Sequence, residues 1–418
     1  MRWAARAQFG ACSLALLVTL ALSSTGVIAA SPPVAGDTPR FIMLNPIDLA
    51  RSRARLRSGD DTLRPALGKL QREADRALKA APVSVTQKQL SPPSGDSHDY
   101  MSLAPYWWPN PDTTNGLPYL RHDGKINPER ARVSDRKALD QLVQGVQTLS
   151  LAYYFTGKDA YAEHAGKLLR VWFLDRATMM NPHLRYAQTI PGRNTGRGAG
   201  IIETHDLPEL IDAVALLQAS NGWTQTDRNR QRDWFAAYLD WLHESAEGKA
   251  EAKAANNHGT WYDVQVASFA TFTGREHAAR EVLRQFPTKR IAQQVESDGR
   301  QPRELARTRA WQYSLFNLTG LFDAAALADK VGIDLWNYET ADKRSIRKVL
   351  EWLIPFAAGE KIWPYKEISS VEPQKLAPLL RRAANIYREP RYEKLIAKLP
   401  KLSGDERWRL LYPPDTNQ

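Results

Sequence analysis

The spacing of apolar residues predicts helices along most of the chain. Between residues 161 and 173, apolar side chains recur three or four positions apart, which places them on one face of a helix. The same period recurs from Leu207 to Leu217, where Pro208 falls in a first helical turn, a position that tolerates proline. Runs that alternate with a period of two, as half-buried strands require, are scarce. We therefore predict an all-α protein.

Short glycine-containing segments predict how the helices are connected. Residues 154–158 and 271–275 each end one apolar helix and begin another, and Gly157 and Gly274 suit the left-handed position after a helix C-terminus. Residues 318–320 are expected to be a third, degenerate copy. Helical hairpins that bury only one face must close on their neighbours, and the irregular spacing of the copies argues against an open solenoid. We therefore predict an (α/α)n toroid or incomplete toroid of helical hairpins.

Two long stretches do not follow the helical period. Residues 91–129 are rich in Pro, Asn, Asp, Gly and aromatic side chains, and residues 181–200 contain several arginines. Long structured loops in a compact domain usually carry function. We expect both loops to lie over a central cleft of the toroid.

The N-terminus has the pattern of a secretory signal peptide. Two arginines precede an apolar run over residues 11–22, and small residues follow up to Ala30. A single membrane anchor is the alternative, but the apolar run is short for a membrane span. We predict a signal peptide at residues 1–30, a single toroid domain at residues 31–418, no membrane anchor after cleavage, and a periplasmic or secreted location.

Charge and cysteine content narrow the possible partners. The chain has 57 Lys and Arg against 46 Asp and Glu, a formal net charge of +11, and its one cysteine lies in the predicted signal peptide. The net charge of an exported basic protein points away from nucleic acid and towards an acidic polysaccharide or a membrane surface, although a generally solvated basic surface would give the same charge. The eight histidines show no paired ligand spacing and no acidic calcium loop occurs, so we expect neither a metal nor a cofactor.

Asn257 and His258 form the first cluster of candidate site residues. Asparagine is a favoured helix N-cap, so a capping role is the simpler interpretation. An amide and an imidazole that project together from a helix start also offer two hydrogen-bond donors where backbone N–H groups favour an anion. Both residues are therefore candidates for contact with a carboxylate.

The second cluster contains three arginines and a tyrosine. Arg303 and Arg307 can share one helix face, and Tyr313 lies six residues beyond Arg307. A solvated basic face with a core tyrosine is the simpler interpretation. Arginine forks, however, bind carboxylates in a bidentate way, as a cleft for a polyuronate requires.

Aromatic and basic residues elsewhere complete the candidate set. Tyr106, Trp107 and Trp108 lie in a proline-rich stretch that cannot be a helix interior, and such rings commonly stack on sugars, although a structural aromatic plug is the alternative. His205 stands at a helix start, either as a partner of a neighbouring carboxylate or as a substrate contact. The loop before it carries Arg197, which we expect at the cleft.

Taken together, residues 98–112, 256–263 and 303–318 resemble the alginate lyase superfamily of helical-toroid polysaccharide lyases. The resemblance extends over residues 42–363. It implies an α/α toroid and lysis of alginate or a related polyuronate. It also implies a catalytic set of Asn257, His258, Arg307 and Tyr313.

The chain departs from the mannuronate-specific branch of that superfamily in two ways. The spacing from the arginine to the tyrosine is one residue shorter, and the loop that carries Trp107 and Trp108 is long. In both respects the chain is more similar to a branch that includes glucuronan lyases. The spacing also leaves Arg303 and Arg309 as alternatives to Arg307.

The residues of this set suit β-elimination at a uronate. Donors such as Asn257 and Arg307 would stabilise the charge that builds up on the carboxylate when the C5 proton leaves. Tyr313 is the preferred acid, and it can also be the base if nearby cations lower its pKa. His258 is the alternative base. The expected substrate-binding residues are His205, Trp107, Trp108, Tyr106, Arg303 and Arg197.

Two other functions remain open from the sequence. A glycoside hydrolase on the same fold would need two carboxylates in the cleft, for which Glu203, Asp206 and Asp263 are the candidates. A non-catalytic protein that binds acidic glycans would use the aromatic loop and the basic cleft without turnover.

Overall fold

The computed structural model describes residues 41–400 and 406–415, and helices make up most of them. This confirms the all-α prediction. Four 3-10 segments and one π segment join or extend the α-helices. The α-helices are α1 Pro46–Arg57, α2 Arg64–Ala77, α3 Asp135–Thr156, α4 Asp159–Phe173, α5 Leu207–Ala215, α6 Gln225–Glu244, α7 Ala246–Ala252, α8 Asn257–Phe272, α9 Glu276–Phe286, α10 Ala292–Gln294, α11 Pro302–Leu305, α12 Ala310–Lys330, α13 Ile346–Ala357, α14 Ala377–Tyr387, α15 Pro390–Lys398 and α16 Arg407–Leu411. The 3-10 segments are Val85–Gln87, Pro128–Arg132, Gly198–Thr204 and Pro373–Leu376, and the π segment is Pro287–Ile291.

The two helices predicted from apolar spacing lie where expected. In α4, Tyr161, Leu169 and Trp172 are all buried on one face. Helix α5 begins at Leu207 and carries Pro208 in its first turn. Backbone N–H groups in a first turn make no intrahelical hydrogen bond, so proline costs the helix none there. The apolar period therefore located both the helices and their buried faces.

Glycine ends the first helix of each hairpin predicted at residues 154–158 and 271–275. Gly157 follows α3 with φ +73° and donates its N–H to the carbonyl of Tyr153 at 2.8 Å, and α4 begins two residues later. Gly274 has φ +76° between α8 and α9. Both glycines thus provide the left-handed residue that lets the chain reverse.

The prediction of a third hairpin connection at residues 318–320 was wrong, because Gly320 lies inside α12. Its role there is close packing: a Cβ atom at Gly320 would stand 2.9 Å from Cγ2 of Thr260 and 3.2 Å from Cε2 of Trp261, both in α8. The glycine therefore permits α8 and α12 to pack closely.

We expect Gly320→Val to lower the free energy of unfolding by about 2 to 3 kcal/mol, because the added side chain has no space between α12 and α8. Urea unfolding followed by circular dichroism would measure the change. Gly68→Val is the matched control, since Gly68 also lies within a helix but faces only the flexible end of Arg72. Equal losses in the two variants would contradict close packing at Gly320.

The helices are arranged as an α/α toroid of hairpins. Helix α3 packs against α2, α4 and α5, and α8 packs against α5, α6, α9 and α12. Helix α13 packs on α12 in turn. Because α8 has neighbours on so many sides, almost all of its residues are buried, and its first turn is fixed relative to the surrounding helices.

The two loops predicted from residues 91–129 and 181–200 are joined to each other by short strands. Strand β1 (Met101–Leu103) pairs in parallel with β4 (Tyr186–Thr189), one from each loop. Strand β2 (Trp107–Trp108) pairs antiparallel with β3 (Leu120–Arg121) inside the first loop. The loops therefore form one structured unit.

A buried carboxylate, Asp135, connects the first loop and the chain just before it to helix α3. Nζ of Lys88 lies 3.1 Å from a carboxylate oxygen of Asp135 at the start of α3, and neither side chain is exposed to any extent. The same Asp135 oxygen accepts the backbone N–H of Met101, the first residue of β1. Burial raises the pKa of Asp135 to about 6 in spite of Lys88. Separating Lys88 from Asp135 would leave an unpaired buried charge, which is costly. The ion pair therefore holds this part of the chain against α3.

No helix within residues 41–400 and 406–415 is long and apolar enough to cross a bilayer. The signal peptide predicted at residues 1–30 lies outside the described residues. The described residues all belong to one compact unit.

Candidate active site

A cleft of about 550 Å³ lies between the two loops and the starts of α8 and α12. The four predicted catalytic residues all line it, although they come from two distant stretches of chain. The predicted residues that line the cleft are Asn257, His258, Arg307, Tyr313, His205, Tyr106, Trp107 and Arg197.

Asn257 is held by a buried glutamate. It is the first residue of α8, and its backbone N–H and side-chain Nδ2 donate to the two carboxylate oxygens of Glu304 at 2.7 and 2.6 Å. Burial raises the pKa of Glu304, although the hydrogen bonds from Asn257 oppose this. The preceding Asn256 occupies the N-cap position without a side-chain capping bond. Asn257 is therefore a fixed amide at the cleft wall.

His258, the next residue, contacts a second glutamate. Its Nδ1 lies 2.5 Å from a carboxylate oxygen of Glu251, which is buried in α7. The start of α8 thus presents a fixed amide and a fixed imidazole side by side, as the sequence predicted.

Arg307 and Tyr313 are in direct contact. Nη2 of Arg307 donates to the Tyr313 hydroxyl at 2.8 Å, and the guanidinium lies 3.7 Å from the centre of the tyrosine ring. Asp123, from the first loop, accepts from Nε and Nη2 of Arg307 at 3.0 and 2.7 Å. Arg307 therefore links the first loop to Tyr313.

Tyr313 also shares a hydrogen bond with a second phenol. The hydroxyls of Tyr313 and Tyr106 are 2.7 Å apart. Burial and the nearby Tyr106 raise the pKa of Tyr313 above its ordinary value, and Arg307 only partly opposes them. The condition under which Tyr313 could be the base, a pKa lowered by nearby cations, is therefore not met, because Arg307 lowers this pKa by less than burial and Tyr106 raise it.

Of the three arginines in this stretch, Arg307 lines the cleft and the other two do not. Arg303 is exposed on α11, outside the cleft wall. Arg309 pairs through its backbone with Glu367 and is also absent from the wall. The structure therefore does not bring Arg303 together with the other predicted residues, because α11 turns its side chain to solvent.

We expect Arg307→Lys to lower kcat/KM by about 10²- to 10³-fold, because lysine keeps a charge but cannot contact Asp123 and Tyr313 together. Steady-state kinetics would measure the loss. Arg303→Lys should stay within about twofold, as surface changes usually do. A comparable loss in that variant would return Arg303 to the site.

His205 reaches the cleft, but both of its ring nitrogens already have partners. Nδ1 is 2.9 Å from the carbonyl oxygen of Ile202, and Nε2 is 2.9 Å from a carboxylate oxygen of Asp206. Neither ring nitrogen of His205 is therefore left without a partner. Although burial alone would raise the pKa of Asp206, His205 holds it below its ordinary value. His205 therefore lines the cleft without offering it a free ring nitrogen.

The two tryptophans of β2 have different surroundings. Trp107 lines the cleft, and the guanidinium of Arg193 lies 5.1 Å from its ring centre. Trp108 is not part of the cleft wall, and its Nε1 donates to the carbonyl of Lys125 at 3.0 Å. Successive strand residues point to opposite faces, so the structure places Trp107 in the cleft wall and Trp108 outside it.

Arg197 enters the cleft from the second loop, as expected. Its Nη2 donates to the side-chain oxygen of Gln188 at 2.5 Å, and Gln188 has a left-handed backbone with φ +53°. Burial lowers the pKa of the Arg197 guanidinium, while the Glu251 carboxylate opposes this.

Comparison with known proteins decides the family. The sequence model of the alginate lyase family matches residues 84–363. The chain is 39% identical to an alginate lyase from Bacteroides ovatus of known crystal structure, over 90% of this chain and 100% of that one, with a TM-score of 0.87. The chain belongs to the alginate lyase family.

More distant lyases share the fold. A variant of alginate lyase A1-III complexed with a tetrasaccharide is 16% identical over 88% of this chain and 95% of that one, with a TM-score of 0.58. A second such variant, also with a tetrasaccharide, is 17% identical over 92% of this chain and 100% of that one, with the same TM-score. No curated protein matches the chain. Because the chain belongs to the alginate lyase family and has the fold of its solved lyases, the protein is a helical-toroid polysaccharide lyase.

The carboxylates that a glycoside hydrolase would need do not converge in this lyase. Glu203 lines the cleft, but one oxygen of its carboxylate accepts the hydroxyls of Tyr100 and Ser102 at 2.8 and 2.7 Å. Asp206 pairs with His205, and Asp263 is buried against Arg290 outside the cleft wall. Within residues 41–400 and 406–415, no cluster of His, Cys, Asp and Glu is arranged to hold a metal ion.

Three acidic residues of the candidate site were missed by sequence reasoning. Glu251, Glu304 and Asp123 each fix one of the predicted catalytic side chains. Glu304 and Asp123 lie inside segments that the sequence had already marked as unusual, which was the available signal. Nothing in the apolar pattern distinguishes Glu251 from the other acidic residues of its helix.

Proposed function

We propose that this lyase cleaves alginate or a related polyuronate, such as glucuronan, by β-elimination in the cleft. The observation that carries the proposal is the charge of the cleft wall, where arginines outnumber acidic side chains. Such a wall attracts a chain of carboxylates. The arginines of the wall are Arg121, Arg130, Arg136, Arg197 and Arg307, and its one acidic residue is Glu203.

Asn257 and Arg307 are proposed to stabilise the substrate carboxylate as the C5 proton leaves. Glu304 fixes the Asn257 amide, and Asp123 fixes the Arg307 fork, so neither donor must reorganise during the reaction. Preorganised donors of this kind contribute about 3 to 4 kcal/mol each to transition-state stabilisation. Among the described residues, Nη1 of Arg307 has no hydrogen-bond partner, which leaves it for the substrate.

Tyr313 is proposed as the acid and His258 as the base. A phenol whose pKa is raised keeps its proton and can give it to the departing O4 oxygen. For the same reason Tyr313 is a poor base. His258 also lines the cleft, and its Nε2 is available to accept a proton. It is therefore the base that remains in the predicted catalytic set.

Export is proposed from the signal-peptide pattern of residues 1–30, which would place the lyase in the periplasm or outside the cell. A basic cleft for a polymeric substrate fits that location, because large acidic polysaccharides lie outside the cytoplasm.

The ultraviolet absorbance of the products tests the function. Incubation with alginate, polymannuronate, polyguluronate and glucuronan should give absorbance from a new C4–C5 double bond on at least one polymer, in step with new reducing ends. Reducing ends without absorbance would show hydrolysis. Binding without turnover on every polymer would show a glycan-binding protein. Product profiles over this panel would also identify the preferred uronate.

A further inference from the structure

A buried carboxylate fixes the tautomer of His258. Glu251 is 4% exposed, and one of its oxygens lies 2.5 Å from Nδ1 of the imidazole. A carboxylate can only accept here, so the proton of a neutral His258 is on Nδ1. Among the described residues, no other group donates a hydrogen bond to this carboxylate.

The opposite ring nitrogen is left for the cleft. Nε2 of His258 has no hydrogen-bond partner among the described residues, and His258 lines the cleft wall. With the proton on Nδ1, the lone pair of the ring is on Nε2. The contact with Glu251 therefore favours the tautomer whose unprotonated Nε2 faces the cleft, as a base requires.

The position of Glu251 is fixed by close packing. Helix α7 packs against α8 and against the 3-10 segment that begins at Gly198. A Cβ atom at Gly198 would lie 2.5 Å from the carbonyl oxygen of Glu247 and 3.2 Å from the backbone nitrogen of Glu251. Arg290 also donates to the carbonyl oxygen of Ala252, at the end of α7. The carboxylate therefore has little freedom to move away from His258.

We propose that Glu251 is a positioning residue that makes His258 the base of the lyase reaction. This rests on the function proposed above. The C5–H bond breaks and its proton goes to Nε2, while the electron pair forms the C4–C5 double bond. The C4–O4 bond breaks, and O4 takes the proton of Tyr313. The imidazolium formed on His258 is then paired with the Glu251 carboxylate, which offsets its charge in a partly buried site.

The Glu251→Gln variant tests the proposal. Glutamine has nearly the same shape, but it lacks the charge and can present an N–H to Nδ1, which would move the ring proton to Nε2. The same exchange in the His–Asp pair of a serine protease lowers kcat about 10⁴-fold through the wrong tautomer. We expect kcat to fall by about 10²-fold or more, with KM within about threefold.

Two further variants separate positioning from a general loss of charge. Glu247→Gln removes the same charge one turn earlier on α7 and should leave kcat within about twofold. Glu251→Asp keeps the carboxylate and should recover a measurable part of the activity lost in Glu251→Gln. Equal losses for Glu247→Gln and Glu251→Gln would overturn the proposal.

The tautomer can also be read in the wild-type protein, so the test does not depend on the folding of any variant. Long-range ¹H–¹⁵N spectra of histidine-labelled protein, with His258→Ala for assignment, should show His258 protonated on Nδ1. A ring protonated on Nε2 alone would overturn the proposal even if the protein is an active lyase. Wild-type protein that gives no unsaturated product would instead overturn the proposed function, and the tautomer would still be measured.

Discussion

Tyr313→Phe is expected to lower kcat by about 10³-fold or more and to leave oligosaccharide binding within about threefold of wild type. The hydroxyl is the proposed proton donor to O4, whereas the ring, which packs under Arg307, is retained. Because burial raises the pKa of Tyr313, the lost group is a protonated acid at every pH near neutrality. Product absorbance would give kcat, and calorimetry with an unsaturated tetrasaccharide would give the dissociation constant.

Tyr106→Phe is the matched control for this prediction. It removes the hydroxyl that is 2.7 Å from that of Tyr313, but it leaves the contact from Arg307 to Tyr313 in place. We expect a loss of about tenfold, the size of one neutral hydrogen bond. If Tyr106→Phe were inactive and Tyr313→Phe active, the proton donor would be Tyr106.

The apolar period and the glycine segments were enough to predict a toroid of hairpins, because each helix must bury one face and each reversal needs a left-handed residue. Gly157 and Gly274 met that requirement. Gly320 did not, because a sequence shows that a glycine is present but not whether backbone angle or close packing requires it. The pairing of β1 with β4 joins two loops that are far apart in sequence and could not be predicted from local patterns.

The candidate site was predictable only in part, for a related reason. Asn257 and His258 are adjacent in sequence, and Arg307 and Tyr313 share one short segment, so each pair could be identified locally. Their meeting in one cleft was implied by resemblance to a family, not by spacing. Asp123 contacts Arg307 across 184 residues, which no local pattern reveals.

Asp263→Asn is expected to lower the free energy of unfolding by about 3 to 5 kcal/mol, because it leaves a buried guanidinium without its counter-charge. Nε and Nη2 of Arg290 donate to the two oxygens of Asp263 at 2.7 and 3.0 Å, and both side chains are almost fully buried. Arg290 also donates to the carbonyls of Ala252 and Ala254, in the segment that leads into α8. Urea unfolding would measure the change in midpoint and slope.

A surface pair of the same kind is the control for Asp263→Asn. Asp240 accepts from both Nη1 and Nη2 of Arg275, but these side chains are 48% and 39% exposed, so Asp240→Asn should cost less than about 1 kcal/mol. Measuring both stability and turnover for the two variants also distinguishes a structural role of Asp263 from a catalytic one. If Asp263 were a catalytic carboxylate of a hydrolase, its variant would lose turnover without losing stability. We expect a loss of stability, because the Asp263–Arg290 pair is buried outside the cleft wall and holds the chain that leads into α8.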